Sequence, residues 1–513
     1  MSLKIISLRL NLSFSLWRRS GYHDHVSRRA DDRFTLWEVD MRRGLQKGIT
    51  VISAAAMAAT ILAGCGNSGS GAAATTSGSA SAGDTAAAQA GQTEVTAAAE
   101  ESTTGTTATE DQIGKPNGGD TVTLWHYFEG EADALYAMVK KYNESQSDIY
   151  IVPTFVSREE LMKQYTIGAV SGDLPDIGMC DSPDMASYIS LGVFADINDE
   201  LAGWSDIDQF YPGPLSSCKG SDGDLYGLPN NSNCLALLCN MDMLKAAGVE
   251  KAPTTWEELE DACAKVSDPD NGVYGLAISA ISNEEGTFQF IPWLYSAGGS
   301  VADVSSAESV RAFSYLAELE SKGYMSNEVV NWGQGDALNA WAAQKAAMVE
   351  SGTWQIAQNL DNSLNDTITW NYQYVEMPSE NGHQATVIGG ENFGVCSSSK
   401  HVKECAEFLK NMMSAQNNAD WCEIAGKLPV RADAVELKDF WTADERYKVF
   451  NDSMNFAVAR GPHAQWPTIS EAIWTAEQAA ILQQSSPEDA AKTAAATIDP
   501  ILKDSPLPTA DNK

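Results

Sequence analysis

Two hydrophobic periods alternate in the stretch that begins at Gly119. Residues 121–127 (Thr-Val-Thr-Leu-Trp-His-Tyr) read as a strand, and 131–142 carries Ala134, Leu135, Met138 and Val139 at helical spacing. A β-rich run at 149–156 precedes a helix over 158–169, residues 175–180 form a third short strand, and Ser182-Pro183 opens another helix. Strand, helix, strand, helix, strand predicts a parallel sheet with helices on its faces, an α/β fold. Ligands of such sheets sit outside the carboxyl ends of the strands. Those ends are 125–129, 157–159 and 181–182, and all three are polar or aromatic where a core needs neither.

The pattern restarts near Cys234. A strand over 234–240 leads into a helix over 241–247 closed by Gly248. Thr255 caps the next helix, with Glu258 at the capping-box position. A strand over 273–279 and helices through Gly323 follow, then a short strand at 346–350 running into Ser351-Gly352-Thr353-Trp354, which opens a helix. Gly389-Gly390-Glu391-Asn392 interrupts a β-rich stretch from 385 to 395, where backbone can approach a ligand closely. The tail is helical at 403–413, 417–424, 470–483 and 487–502. Two sheets with helical cover, in a body too long for one simple core, imply two lobes.

The N-terminal part is different. Arg42, Arg43 and Lys47 precede an apolar run from 49 to 62 that ends at Leu62-Ala63-Gly64-Cys65. This is the layout of a secretory signal, and the run is shorter than the ~20 apolar residues of a spanning helix. The four residues resemble the lipobox of bacterial lipoproteins, which implies that Cys65 is acylated, becomes the new N-terminus and anchors the chain in the membrane. Two or three acyl chains hold firmly, at about 0.8 kcal/mol per buried CH₂. Residues 1–40 fit no part of this layout, and Met41 is read as the true start, with 41–64 as the signal. From 65 to 118 the chain is mostly Gly, Ala, Ser and Thr, too poor in apolar surface to fold. It is expected to be a disordered tether spanning roughly 40 Å.

Charge and cysteines narrow the class. Residues 1–64 hold 10 Lys and Arg and 5 Asp and Glu; without them the 34 basic and 69 acidic residues become 24 and 64, a net charge of −40. Phosphate backbones are then repelled, which excludes nucleic acid as a partner. Eight cysteines remain after Cys65 with no Cys-x-x-Cys, and His126, His383, His401 and His463 stand far apart, so no metal site and no cofactor is expected. Cys234 and Cys239 fall on one strand at odd separation and face opposite sides. The cysteines are expected to act as small buried apolar residues.

Several stretches together resemble the extracellular solute-binding proteins of ABC importers, in particular those for sugars and polyols such as maltose or glycerol-3-phosphate. They are Trp125-His126-Tyr127-Phe128-Glu129-Gly130-Glu131, Ser171-Gly172-Asp173-Leu174-Pro175-Asp176, Gly192-Val193-Phe194-Ala195-Asp196, Tyr226-Gly227-Leu228-Pro229 and Pro253-Thr254-Thr255-Trp256. Further on come Gly352-Thr353-Trp354, Gly389-Gly390-Glu391-Asn392, Gly426-Lys427-Leu428-Pro429-Val430 and Trp466-Pro467. The resemblance implies a two-lobed type II periplasmic-binding fold with the ligand in a cleft. Lobe 1 would hold 119–232 and 390–428, and lobe 2 would hold 233–389 and 429–513. Crossing segments are expected near 231–235, 387–393 and 426–431, with hinge closure as the working motion. The implied partners are a carbohydrate and the permease subunits, with the chain acting as a monomer.

Sugars present flat C–H faces and dense hydroxyls, which call for aromatic platforms and planar polar groups. Trp354, beside Ser351, resembles the family's stacking aromatic, with core packing as the competing role. Trp125 and His126 end the first strand, where packing and ligand contact compete. Glu129 and Glu159 lie on the first two loops, as ligand contacts or solvated acids. Asp181 is a contact or a helix cap, and Asn231, like Asn230, is a contact or a turn residue. Gly390, Glu391 and Asn392 are stronger candidates, since a carboxylate inside a crossing strand is hard to explain by packing. Arg460, His463 and Trp466 match a segment that carries an aromatic and a cation into the cleft, and Trp293 and Trp332 are further platforms of lower rank. The glycerol-3-phosphate relative has an Arg close to the position of His463, so its absence here favours a neutral sugar over a polyol phosphate.

The rival readings are an extracytoplasmic glycosidase, using a carboxylate pair such as Glu129 and Glu159 held ~5–9 Å apart, and a surface adhesin. No Gly-x-Ser-x-Gly, His-Glu-x-x-His or phosphate-cradling Gly-Lys-Ser/Thr loop is present. A binding protein that leaves its ligand unaltered is the favoured function.

Overall fold

A six-stranded sheet in the order β1-β3-β2-β4-β11-β5 forms the core of the first lobe. Its strands are β1 (Thr106–Thr107), β2 (Asp120–His126), β3 (Ile149–Phe155), β4 (Ile177–Asp181), β5 (Gly227–Pro229) and β11 (Glu391–Val395). β2 runs parallel to β3 and β4, while β11 is antiparallel to both β4 and β5. The helices Ala132–Ser145 and Arg158–Ser171 are the crossovers that parallel pairing demands. The computed structural model describes residues 105–507, so the signal, Cys65 and the linker up to residue 104 lie outside the described residues.

The second lobe is built on a four-stranded sheet, β7-β8-β6-β9, comprising β6 (Leu235–Asn240), β7 (Tyr274–Ala277), β8 (Ala346–Gly352) and β9 (Tyr372–Val375). β6 is buried at every position, as expected of a strand covered on both faces. Cys234 and Cys239 belong to separate core clusters, and all eight cysteines from Cys180 to Cys422 are buried and free. The helices Glu284–Ser296, Ala307–Ser321, Trp466–Ile481 and Pro487–Asp504 pack together around Trp293, Phe313 and Ile473. Thr255 caps its helix by accepting from the Glu258 N–H, and the Glu258 carboxylate accepts from the Thr254 N–H at 2.8 Å. A parallel pair, β10 (Thr386–Ile388) and β12 (Ala457–Ala459), flanks this lobe.

Three segments cross between the lobes side by side. Asn230 donates to the Glu391 carbonyl, Asn233 and Gly389 exchange backbone hydrogen bonds at 2.8 and 3.0 Å, and Ser232 and Leu428 do so at 2.8 Å. Gly390 sits at φ 145° with its α-carbon so close to the first crossing that a Cβ would lie 2.1 Å from the Asn231 carbonyl, so only glycine fits there.

Two expectations are corrected. The stretch up to Gly118 is not all tether. β1 pairs antiparallel with β3, the Ile113 side chain is buried, and Tyr150 and Asn143 donate to the Gly114 and Ile113 carbonyls at 2.7 and 3.1 Å. Covering the open edge of β3 and burying Ile113 stabilise a segment whose composition alone promises little. Ser351 and Gly352 also continue β8 instead of opening a helix, and Ile356–Ser363 winds as a π-helix beyond Trp354.

Candidate functional site

The carboxyl ends of β2, β3 and β4 and the three crossings converge on a cleft of about 1020 Å³ that opens to solvent. On the first-lobe side its wall is formed by Tyr127, Phe128, Glu129 and Glu131 after β2, Ser157, Arg158 and Glu159 after β3, and Asp181 at the end of β4. Facing them are Glu285 and Phe288, Gln334, Trp354 and Gln358 from the second lobe. Asn233, Gly389, Gly390, Glu391, Lys427 and Arg460 form the floor.

Trp354 is positioned by the turn after β8. A Cβ on Gly352 would lie 2.0 Å from the indole, so the ring folds back over the strand only because Gly352 is bare. The Phe288 ring lies 6.3 Å away, and the Lys427 ammonium stands 4.8 Å from the indole centroid, a cation–π arrangement.

Beneath the aromatics lies a network of buried charges. Arg460 grips Asp181 with both terminal nitrogens, at 3.0 and 3.1 Å, and meets Glu284 at 2.5 Å. Arg158 reaches the same Asp181 at 2.7 Å and Asp184 at 3.8 Å. Burial alone would raise the Asp181 carboxyl, but Arg460 and Arg158 hold it below the ordinary range. Asp184, less well paired, is pushed up to about 7 by burial and by Glu284 and Asp181, against the pull of Arg158. Lys427 bridges Glu131 at 3.2 Å and Glu391 at 3.7 Å. Burial pushes Lys427 down, but Glu391 and Glu131 more than restore it; burial also raises Glu391, which Lys427 opposes. Asn231 orients Glu391 by donating to its Oε2 at 2.6 Å.

The structure therefore brings Glu129, Glu159, Asp181, Trp354, Gly390, Glu391 and Arg460 to the cleft. Asn231 and Asn392 lie in a smaller pocket behind the second crossing, where the Asn392 amide donates to Ser217 Oγ at 2.9 Å. Asp181 stands at a helix N-cap, yet its carboxylate goes to the arginines and makes no capping bond. Five expected contacts lie elsewhere. Trp125 stacks on Tyr165 at 6.1 Å. His126 is fully buried against Tyr136, at 3.2 Å from its hydroxyl. Ser351 meets the Tyr374 hydroxyl, and His463 contacts the Ser505 carbonyl at 2.8 Å. Trp466 is buried with its indole N–H on Glu284. Trp293 is likewise a core residue, bonded to Glu350.

Tyr127, Arg158, Asn233, Phe288, Gln358 and Lys427 are wall residues that sequence reasoning missed. Two had a signal. Arg158 puts a cation in the first turn of a helix, where the dipole disfavours it, and Lys427 is a charge inside a crossing segment, the same anomaly that marked Glu391.

Comparison with known proteins agrees with this architecture. The family model described as bacterial extracellular solute-binding protein matches residues 137–449, more than half of the chain. The sn-glycerol-3-phosphate-binding periplasmic protein UgpB of Escherichia coli K12 is 24% identical over 355 residues, covering 63% of this chain and 77% of the relative. Among solved structures, an ABC transporter solute-binding protein from Thermotoga lettingae bound with α-D-tagatose superposes with a TM-score of 0.68 at 25% identity, over 75% of this chain and all of the other. The cyclic α-maltosyl-1,6-maltose binding protein from Arthrobacter globiformis gives 0.63 at 26% identity, with 75% and 100% covered.

Proposed function

The chain belongs to the bacterial extracellular solute-binding proteins, and from that premise we propose that it captures a carbohydrate outside the cell and hands it, unaltered, to the permease of an ABC importer. The observation that carries this reading is the cleft itself: an indole and three phenyl-type rings share the gap between two lobes with planar carboxylate, amide and guanidinium groups. Aromatic faces suit sugar C–H surfaces, and paired polar groups orient hydroxyls. One structural relative is bound with tagatose and another is named for binding cyclic α-maltosyl-1,6-maltose, which supports the same class of ligand. Trp354 is the proposed stacking platform, and closure about the three crossings the proposed working motion. Acylation at Cys65 is the proposed membrane anchor, testable by the mass of the mature N-terminal peptide.

A thermal-shift screen tests the reading. A ligand at one hundred times its dissociation constant adds about 2.7 kcal/mol of stability and raises the melting temperature. A flat response across sugars, polyols and their phosphates contradicts it. A polyol phosphate is the second reading, favoured by the name of the UgpB relative.

A further inference from the structure

The charges of the cleft narrow the ligand class further. We propose that the cleft admits only solutes without net negative charge, and that Asn233 and Gln358 are the side chains that read the solute's hydroxyls. This rests on the solute-capture reading above.

Each of the three wall cations is already held between two acids. Lys427 lies between Glu131 and Glu391, Arg158 between Asp181 and Asp184, and Arg460 between Asp181 and Glu284. Lys427 and Arg460 are 3% and 5% exposed, so water does not relieve a carboxylate that loses them. A phosphate entering here must pull a cation from its partners and leave a buried acid unpaired, which costs several kcal/mol. Glu129 and Glu159 on the first-lobe side and Glu285 facing them add three more carboxylates to the cleft. An ester of phosphate therefore meets a negative cavity whose cations are all engaged.

Among the described residues lining the cleft, the buried side-chain atoms left without a partner are Arg460 Nε, on a guanidinium already paired with two acids, and one atom on each of two neutral amides. Asn233 is 4% exposed, and among the described residues neither its Oδ1 nor Gln358 Nε2 has a partner. Both amides line the cleft and both are seated against a glycine. A Cβ on Gly389 would lie 2.2 Å from Asn233 Oδ1, and one on Gly130 would lie 2.7 Å from Gln358 Oε1. One open acceptor and one open donor, desolvated in an aromatic cleft, match a hydroxyl, which donates once and accepts twice. Unmet, each costs stability; met by a sugar hydroxyl, each contributes to affinity.

The experiment is calorimetric titration of the mature protein with tagatose, maltose, a neutral trisaccharide, glycerol-3-phosphate and inorganic phosphate. We expect saturable binding of a neutral sugar, and binding of glycerol-3-phosphate weaker by roughly a hundredfold or more. Glu391→Gln and, separately, Glu131→Gln each release Lys427 from one acid and should narrow that gap. Asn233→Ala and Gln358→Ala should each weaken the neutral sugar about tenfold with the melting temperature of the free protein unchanged or raised. Glycerol-3-phosphate binding as tightly as the best neutral sugar overturns the charge selection while leaving solute capture intact. Unchanged sugar affinity in both amide variants overturns their assignment. Silence from the whole panel in a folded protein overturns solute capture and this inference together.

Discussion

Buried carboxylates occur in two regions of this molecule, and the best-paired acid of the cleft is shifted the opposite way to the acids of the second-lobe interior. In the cleft, Asp181 faces two guanidinium groups and stays ionised despite its burial. In the interior of the second lobe, the Glu350 carboxylate accepts from the Trp293 indole at 2.9 Å, while its other oxygen and both oxygens of Glu477 have no partner among the described residues. Burial pushes both of these well above the ordinary carboxylate range, and for Glu477 the neighbouring Glu350 adds to the push. Depth is the same in both places; the partners differ. An acid gripped by two guanidinium groups keeps its charge, whereas an acid among apolar side chains keeps its proton. A functional reading of buried acids must therefore start from what faces them.

The largest effect is expected at Arg460. Arg460→Ala leaves Asp181 and Glu284 buried without their shared cation and should cost about 3–5 kcal/mol in denaturant unfolding; a loss below about 1 kcal/mol would place the charge balance of the cleft elsewhere. The linkage is of the acid type: the folded carboxyl of Asp181 is depressed, so its contribution is present above pH ~4 and disappears as pH falls through the folded value.

His126 gives the next effect, and separates core from cleft. Burial lowers its imidazole to about 4, so the unfolded chain binds the extra proton between about pH 6.5 and that value. Stability from neutral His126 is then complete above pH ~6.5 and falls by about 3 kcal/mol as pH drops through 4. His126→Phe should flatten this limb of the stability-pH curve without changing ligand affinity, and a change in affinity would return His126 to the site. Trp354→Ala should cost about 2 kcal/mol of binding, as for a desolvated aromatic anchor, with unfolding little altered; equal affinity removes the indole from the contact surface.

Glu477→Gln should have the smallest effect, within about 1 kcal/mol near pH ~4, where the parent carboxyl holds its proton folded and unfolded alike. The sign separates it from Asp181. The folded pKa of Glu477 is raised, so its stability is complete below pH ~4.5 and is lost as pH climbs toward the folded value. The variant should lose less than the parent on the alkaline side. Parallel curves would mean that the second-lobe acids are ionised, and the contrast with the cleft would fail.

Much of this was legible in the sequence because local patterns and topology agree. Period-two runs broken by helical spacing marked the parallel sheet, and Asn230-Asn231 and Gly389-Gly390 marked the crossings. For His126 the sequence reading leaves packing and ligand contact open, although alternation along β2 bears on the choice: Val122, Leu124 and His126 share one face, and all three are buried. The β1 segment was hidden by a composition typical of linkers. Lys427 and Arg158 were missed because their meaning lies in Glu131, Glu391 and Asp181, acids supplied by distant segments. The sequence could flag the two cations as out of place, but which acids they pair with follows from tertiary structure.

Calorimetric titration of the mature protein with neutral sugars addresses the central claim most directly. A saturable heat at one ligand per chain, abolished or strongly weakened by Trp354→Ala, is the predicted result. A folded protein that gives no heat with any sugar, or one that turns a sugar over, would contradict the account.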